Sequence, residues 1–215
     1  MRHPLGRRLF AGLLLACLLL AACGGDDDSG PSSTRKGTAV PTLPPTQVPA
    51  TALPSPSASN PFRGDSRVND AGGDVSGSGE APPGIDLTGV RVVPSEDQLV
   101  IIWYTAQRAE RTVPDGATAS WTVALSNGDI PAYDITFKVS GKEWDILVLD
   151  HATGEETKHR IGSIYNDRLD VPYPASKLDN LQPTFTWTAA SSYTDATGAT
   201  WTDTVPDQGS ASFPG

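Results

Sequence analysis

The side chains that bear most directly on chemistry are acids in a glycine-rich stretch. Asp70, Asp74 and Asp86, with Asp65 and Asn69, offer hard oxygen ligands where the backbone bends easily, and Asp203 and Asp207 join them if the two ends of the domain meet. They form a candidate calcium site, set against the plainer reading of solvated turn acids, and their spacing is not that of an EF-hand loop. Catalysis finds no such footing. The chain has no G-x-S-x-G, Glu155-Glu156 sits beside a turn, and no pair of facing carboxylates is suggested. His151 and His159, eight residues apart and without a cysteine pair, match no zinc spacing. Gly77-Ser78-Gly79 leads into Glu80-Ala81-Pro82-Pro83, not into a helix, so no phosphate loop is present. The chain is therefore read as non-catalytic, with no catalytic residue and no obligate cofactor; a cell-envelope enzyme is kept only as an alternative.

One cysteine carries chemistry of another kind. Arg2, Arg7 and Arg8 precede an apolar run from Leu9 to Ala22, the pattern of a signal peptide. The run is shorter than the ~20 residues a spanning helix needs, and Gly24-Gly25-Asp26-Asp27-Asp28 ends it. Leu20-Ala21-Ala22-Cys23 resembles the lipobox of bacterial lipoproteins. That resemblance implies cleavage before Cys23 and acylation of its thiol, with two or three chains giving stable residence at ~0.8 kcal/mol per buried CH₂. Loss of residues 1–22 removes three arginines and Cys17 but no acid, so the mature chain is more acidic than the formal −9 of the full sequence. Nucleic acid is excluded as a partner, because phosphate binding needs clustered Lys and Arg. With Cys23 acylated no thiol pair is left, and stability must come from a hydrophobic core.

Behind the anchor, residues 23–61 hold the lipidated cysteine and a Pro/Thr/Ser/Ala-rich tract. Its composition cannot bury enough apolar area to offset chain entropy, so it reads as a disordered tether; counted from residue 24 to 85, the coil reach is about 45 Å. Residues 62–85 form a Gly/Asp-rich lead-in, either more tether or an ordered wrap. From residue 86 to 215 short β segments follow one another between turns. Tyr133, Ile135, Phe137 and Val139 alternate with polar residues, as do Trp121, Val123 and Leu125, and Asn127-Gly128 between them is a hairpin signal. Four segments from Ser120 to Ile164 read as a meander, Leu99–Thr105 as a central strand apolar on both faces, Pro174–Asp179 as one helical or 3₁₀ turn, and Trp201 and Phe213 as lying in terminal turns. Eight or nine short strands without a long helix argue a single antiparallel β-sandwich, with a β-barrel as alternative.

Asn69-Asp70-Ala71-Gly72-Gly73-Asp74-Val75, Gly84-Ile85-Asp86-Leu87-Thr88-Gly89-Val90, Trp187-Thr188-Ala189 and Trp201-Thr202-Asp203-Thr204-Val205-Pro206-Asp207 resemble an extracytoplasmic β-sandwich module of the DOMON and family 9 carbohydrate-binding-like group. The resemblance implies two ligands to weigh. Haem would need Met and His; the only Met is Met1, and His151 and His159 read as solvated. Glycan would be held by aromatic faces matched to the C–H face of a pyranose. Trp121, Trp187 and one of Trp103 or Tyr104 fall on core faces, leaving Trp144, after a turn, and Tyr193 with Trp201, in loop-like sequence, as candidate rings. The expectation is a membrane-anchored lipoprotein facing the extracytoplasmic side whose sandwich binds a glycan or a surface protein. Cys23→Ser is expected to abolish incorporation of a clickable palmitate analogue by growing cells; labelling that survives the substitution removes the anchor.

Overall fold

The computed structural model describes residues 60–214; the signal segment, Cys23 and the tether up to residue 59 lie outside them. Among the described residues twelve strands form two antiparallel sheets facing one another across a single core, and neither sheet closes into a barrel. In the five-stranded sheet the order is β1 (Ser66–Asn69), β2 (Leu87–Ser95), β3 (Gln98–Thr105), β9 (Arg168–Pro174) and β8 (Ser163–Ile164). The seven-stranded sheet runs β11 (Thr200–Val205), β10 (Phe185–Thr194), β4 (Thr118–Asn127), β5 (Ile130–Ser140), β6 (Glu143–Asp150) and β7 (Glu156–His159). Its last strand, β12 (Ala211–Phe213), shares the outer edge of β10 with β11.

Period-two alternation decides which face is buried. Ala119, Trp121, Val123 and Leu125 of β4, Tyr133, Ile135, Phe137 and Val139 of β5, and Phe185, Trp187 and Ala189 of β10 all enter the core. β3 is the middle strand of its sheet: Leu99, Ile101 and Trp103 face the core, and Ile102 is nearly buried on the other side. The proline-bounded 3₁₀ turn is present at Ala175–Lys177.

Three expectations are revised. Lys158–Ile164 is not one strand but two, since residues 160–162 carry the chain from β7 in one sheet to β8 in the other. The crossing runs close to the core, where a Cβ on Gly162 would lie 2.9 Å from Ile146 Cδ1 and 3.1 Å from Phe137 Cε2. Trp201 and Phe213 belong to strands β11 and β12, and the alternation of β11 was masked by an acid, Asp203, at a buried position. The hairpin loop between β4 and β5 is Gly128-Asp129, with Asn127 paired to Ile130 and Gly128 at φ +64°. Asn127 is drawn into the strand because its side chain donates to Asn180 O (2.8 Å) and accepts from Gln182 N–H (2.9 Å).

Residues 62–85 are an ordered part of the sandwich: they supply β1, and Phe62 is fully buried edge-on to Phe185 (5.7 Å) and Phe213 (6.3 Å). Asn60 Nδ2 donates to Gln98 O (2.8 Å), so the described chain starts at the pole formed by the β2–β3 and β4–β5 hairpins. Phe62→Ala is expected to cost ~3–5 kcal/mol in urea unfolding; a change under ~1 kcal/mol would return the lead-in to the role of spacer.

Candidate functional site

Both groups of side chains singled out by sequence lie toward the opposite pole, around the β3–β4 loop, the β5–β6 and β10–β11 turns and the lead-in. Cross-strand pairing places Trp144, Val139, Ala119, Tyr193 and Trp201 in one row across five strands of the seven-stranded sheet. Paired residues share a face, so all five side chains point inward at the open end of the sandwich. With strands ~4.8 Å apart, Trp144 lies about 14 Å from Tyr193 and about 19 Å from Trp201 along that row. The rings therefore serve two separate places and do not close on one ligand.

Val113 divides the row: it is buried, and its N–H donates to Gly141 O (2.8 Å). On one side a cleft of about 180 Å³ is bordered by Pro82, Glu110, Pro114, Trp121 and Tyr193. Trp121 cannot swing into it, since its Nε1–H donates to Gly84 O (2.8 Å). On the other side Trp144 borders two adjoining clefts, one of about 260 Å³ with Arg111, Phe137, Ser163 and Ile164, the other of about 180 Å³ with Lys142, Glu143 and Arg160. Trp144 lies parallel to Phe137, centroids 5.3 Å apart and planes 8° from coincidence. One face of its ring is thus committed, and the half-buried remainder looks into the clefts.

Trp201 has a different setting. Its ring is met edge-on by Tyr193 (5.9 Å, 60°), and Gly77 packs so closely that no side chain fits there. Backbone hydrogen bonds between Ser76 and Thr202 (both 2.8 Å) hold the lead-in over it. It is a half-buried strand residue, partly covered by the lead-in, and not a loop ring. The two histidines are also separate: His151 Nε2 lies 3.1 Å from Asp134 Oδ2, and His159 packs edge-on to Tyr173 (5.0 Å).

The acids meet where the lead-in crosses from β2 to β11. Asp70, Asp74 and Asp203 each present an oxygen, all within 4.8 Å of one another. Oxygens ~2.4 Å from one Ca²⁺ are at most ~4.8 Å apart, so these three are close enough to share a single ion. Asp86 stands aside, its two oxygens accepting from Gly73 N–H (3.1 and 2.9 Å), though its charge still acts on Asp70. Asp203 is only 5% exposed, accepting from Leu87 N–H (2.7 Å) on Oδ2 and Thr204 N–H (2.7 Å) on Oδ1. Burial pushes its carboxyl up to about 6 against those two donors, with the charges of Asp74 and Asp70 adding to the rise. Asp70 is raised by burial and then by Asp74, Asp207 and Asp86, and its Oδ2 is buried without a donor. A hard cation would be held by Asp70, Asp74 and Asp203, relieving that repulsion.

The fold and the site define the class of protein only broadly: an all-β, two-sheet domain with small clefts at one pole. Comparison of the chain with protein-family models, with curated proteins and with solved structures finds no match in any of the three.

Asp203 sets a pH dependence whose sign follows from its raised carboxyl. The folded state holds the proton longer than the unfolded one, so the associated stability is present below about pH 4 and is lost as pH rises through about 6. The loss is at most about 3 kcal/mol. Asp65 and Asp195 are lowered, by Arg91 and by Thr197 hydrogen bonding respectively, and act with opposite sign only at more acidic pH. With chelator present, urea unfolding is expected to show lower stability at pH 7.5 than at pH 5, a difference that shrinks in Asp203→Asn. Millimolar Ca²⁺ at pH 7.5 is expected to offset the loss in the unsubstituted chain only; no response to Ca²⁺ leaves the pH effect standing and removes the cation.

Proposed function

We propose that this chain is a membrane-anchored extracytoplasmic lipoprotein whose sandwich binds a ligand without catalysing a reaction, and that the ligand is a glycan. The observation that carries this reading is the polarity of the domain. The chain enters beside Asn60 and Phe62 at one pole, and the clefts of Trp144 and Tyr193 lie toward the other, about a strand length or ~30 Å away. An acyl anchor at Cys23, followed by a proline-rich tether, would attach to the sandwich at its entry pole and leave the cleft pole free of the attachment.

Glycan is favoured over other ligands by the ring at the clefts. Phe137 holds Trp144 in one orientation, so little order is lost when a sugar stacks against it, while neighbouring Ser163, Lys142, Glu143 and Arg160 supply hydrogen-bonding groups. The motif resemblance to the DOMON and family 9 carbohydrate-binding-like group points the same way. The reading stays non-catalytic because each side of the row offers one bordering carboxylate, Glu110 or Glu143, where glycoside hydrolysis takes a facing pair ~5–9.5 Å apart.

The test is tryptophan fluorescence of the full chain in a polyoxyethylene detergent, titrated with a panel of cell-wall and storage polysaccharides. A saturable shift with at least one of them is expected, abolished in Trp144→Ala. A flat response across the panel would overturn the glycan assignment and leave a protein partner as the ligand.

A further inference from the structure

We infer that the paired clefts around Trp144 take a carboxylate-bearing pyranose, a uronic acid unit of an acidic glycan; this rests on the glycan reading and narrows it to one place and one ligand chemistry. Charge complementarity favours this ligand. Arg111, Lys142 and Arg160 border these clefts against a single acid, Glu143, in a chain whose formal charge is −9. Asp145 beside them is already answered by Arg160 (3.3 Å) and Lys158 (3.7 Å). Among the described residues neither Arg111 nor Lys142 forms an ion pair. Arg111 spends one donor on Ile164 O (3.1 Å), which fixes the guanidinium at the cleft edge and leaves most of its planar fork free.

An anion in these clefts meets cations from three separate segments of the chain, with Trp144 between the two cavities. The guanidinium fork matches the two oxygens of a carboxylate, and the ring matches the apolar face of a pyranose, so a sugar acid satisfies both where a simple anion satisfies one. The Tyr193 cleft is the internal contrast. It is bordered by prolines and aromatics, its one charged residue is Glu110, and it has no cation.

The experiment is calorimetric titration of the full chain in a polyoxyethylene detergent at low salt. The probes are short oligomers of galacturonic, glucuronic and mannuronic acid, their carboxyl methyl esters, and polyglutamate. At least one acid is expected to bind, its ester ~tenfold or more weaker, with Trp144→Ala abolishing binding and Arg160→Gln and Lys142→Gln each weakening it severalfold. Lys142→Gln is the control for folding, because Lys142 forms no ion pair there to be broken. Equal binding of acid and ester overturns the carboxylate assignment while leaving the glycan reading in place. Polyglutamate binding as tightly as the sugar acids, and independently of Trp144, overturns it in favour of a plain basic patch. Failure of all three acids also overturns it, and the neutral members of the polysaccharide panel then decide the broader reading separately.

Discussion

The sandwich depends on the way its larger sheet grips the backbone that feeds the smaller one. From the inner face, Trp121 donates to Gly84 O and Ser191 to Ile85 O, and Asp203 accepts from Leu87 N–H. These backbone groups are buried at the start of β2, where the ladder with β3 is irregular between Leu87 and Gly89. Left without partners they would each cost as much as a lost hydrogen bond. Three adjacent strands, β4, β10 and β11, supply those partners in one row of paired residues, Trp121, Ser191 and Asp203. The register of the larger sheet is thereby coupled to the position of the smaller one.

That solution has a consequence for the electrostatics. Holding Leu87 N–H requires an acceptor at an inward position of β11, and the acceptor is a carboxylate, buried close to Asp70 and Asp74. The lead-in that brings those two acids also partly covers Trp201 through Ser76 and Gly77. One segment therefore bridges the edges of the two sheets, covers part of a ring and concentrates negative charge. The positive charge is concentrated elsewhere, around Trp144, where the chain passes from β7 to β8. An acidic protein thus keeps two chemically opposite regions, set apart by the apolar row through Val139 and Ala119.

Much of the architecture was legible because alternation over a strand is a local property. β4, β5 and β10 announce their buried faces through Trp121, Phe137 and Trp187, and prolines bracket the 3₁₀ turn. Legibility failed where a tertiary contact overrode the local signal. Asn127 looks like a turn residue but is held in the strand by residues 180–182, and β11 looks like a turn because its inward positions include an acid. Of the acids, Asp70 and Asp74 stood out as oxygen ligands in a glycine-rich stretch, and Asp203 only on condition that the domain's ends met. The cations at Arg111, Lys142 and Arg160 had no local signature, being single charged residues in three unrelated turns.

By itself the amino-acid sequence determined that residues 86–215 are built of short β segments and that their large aromatics are mostly core, since both follow from the period-two geometry of a strand and the drive to bury apolar area. Its N-terminal pattern also carries the expectation of an anchor at Cys23. Only the tertiary structure decided that the lead-in belongs to the sandwich, that Trp144 borders clefts while Trp201 is partly covered, and that Asp203 joins Asp70 and Asp74. Those outcomes depend on which strands pair and on which backbone crosses which edge. Contacts between residues more than a hundred positions apart leave no periodic trace along the chain.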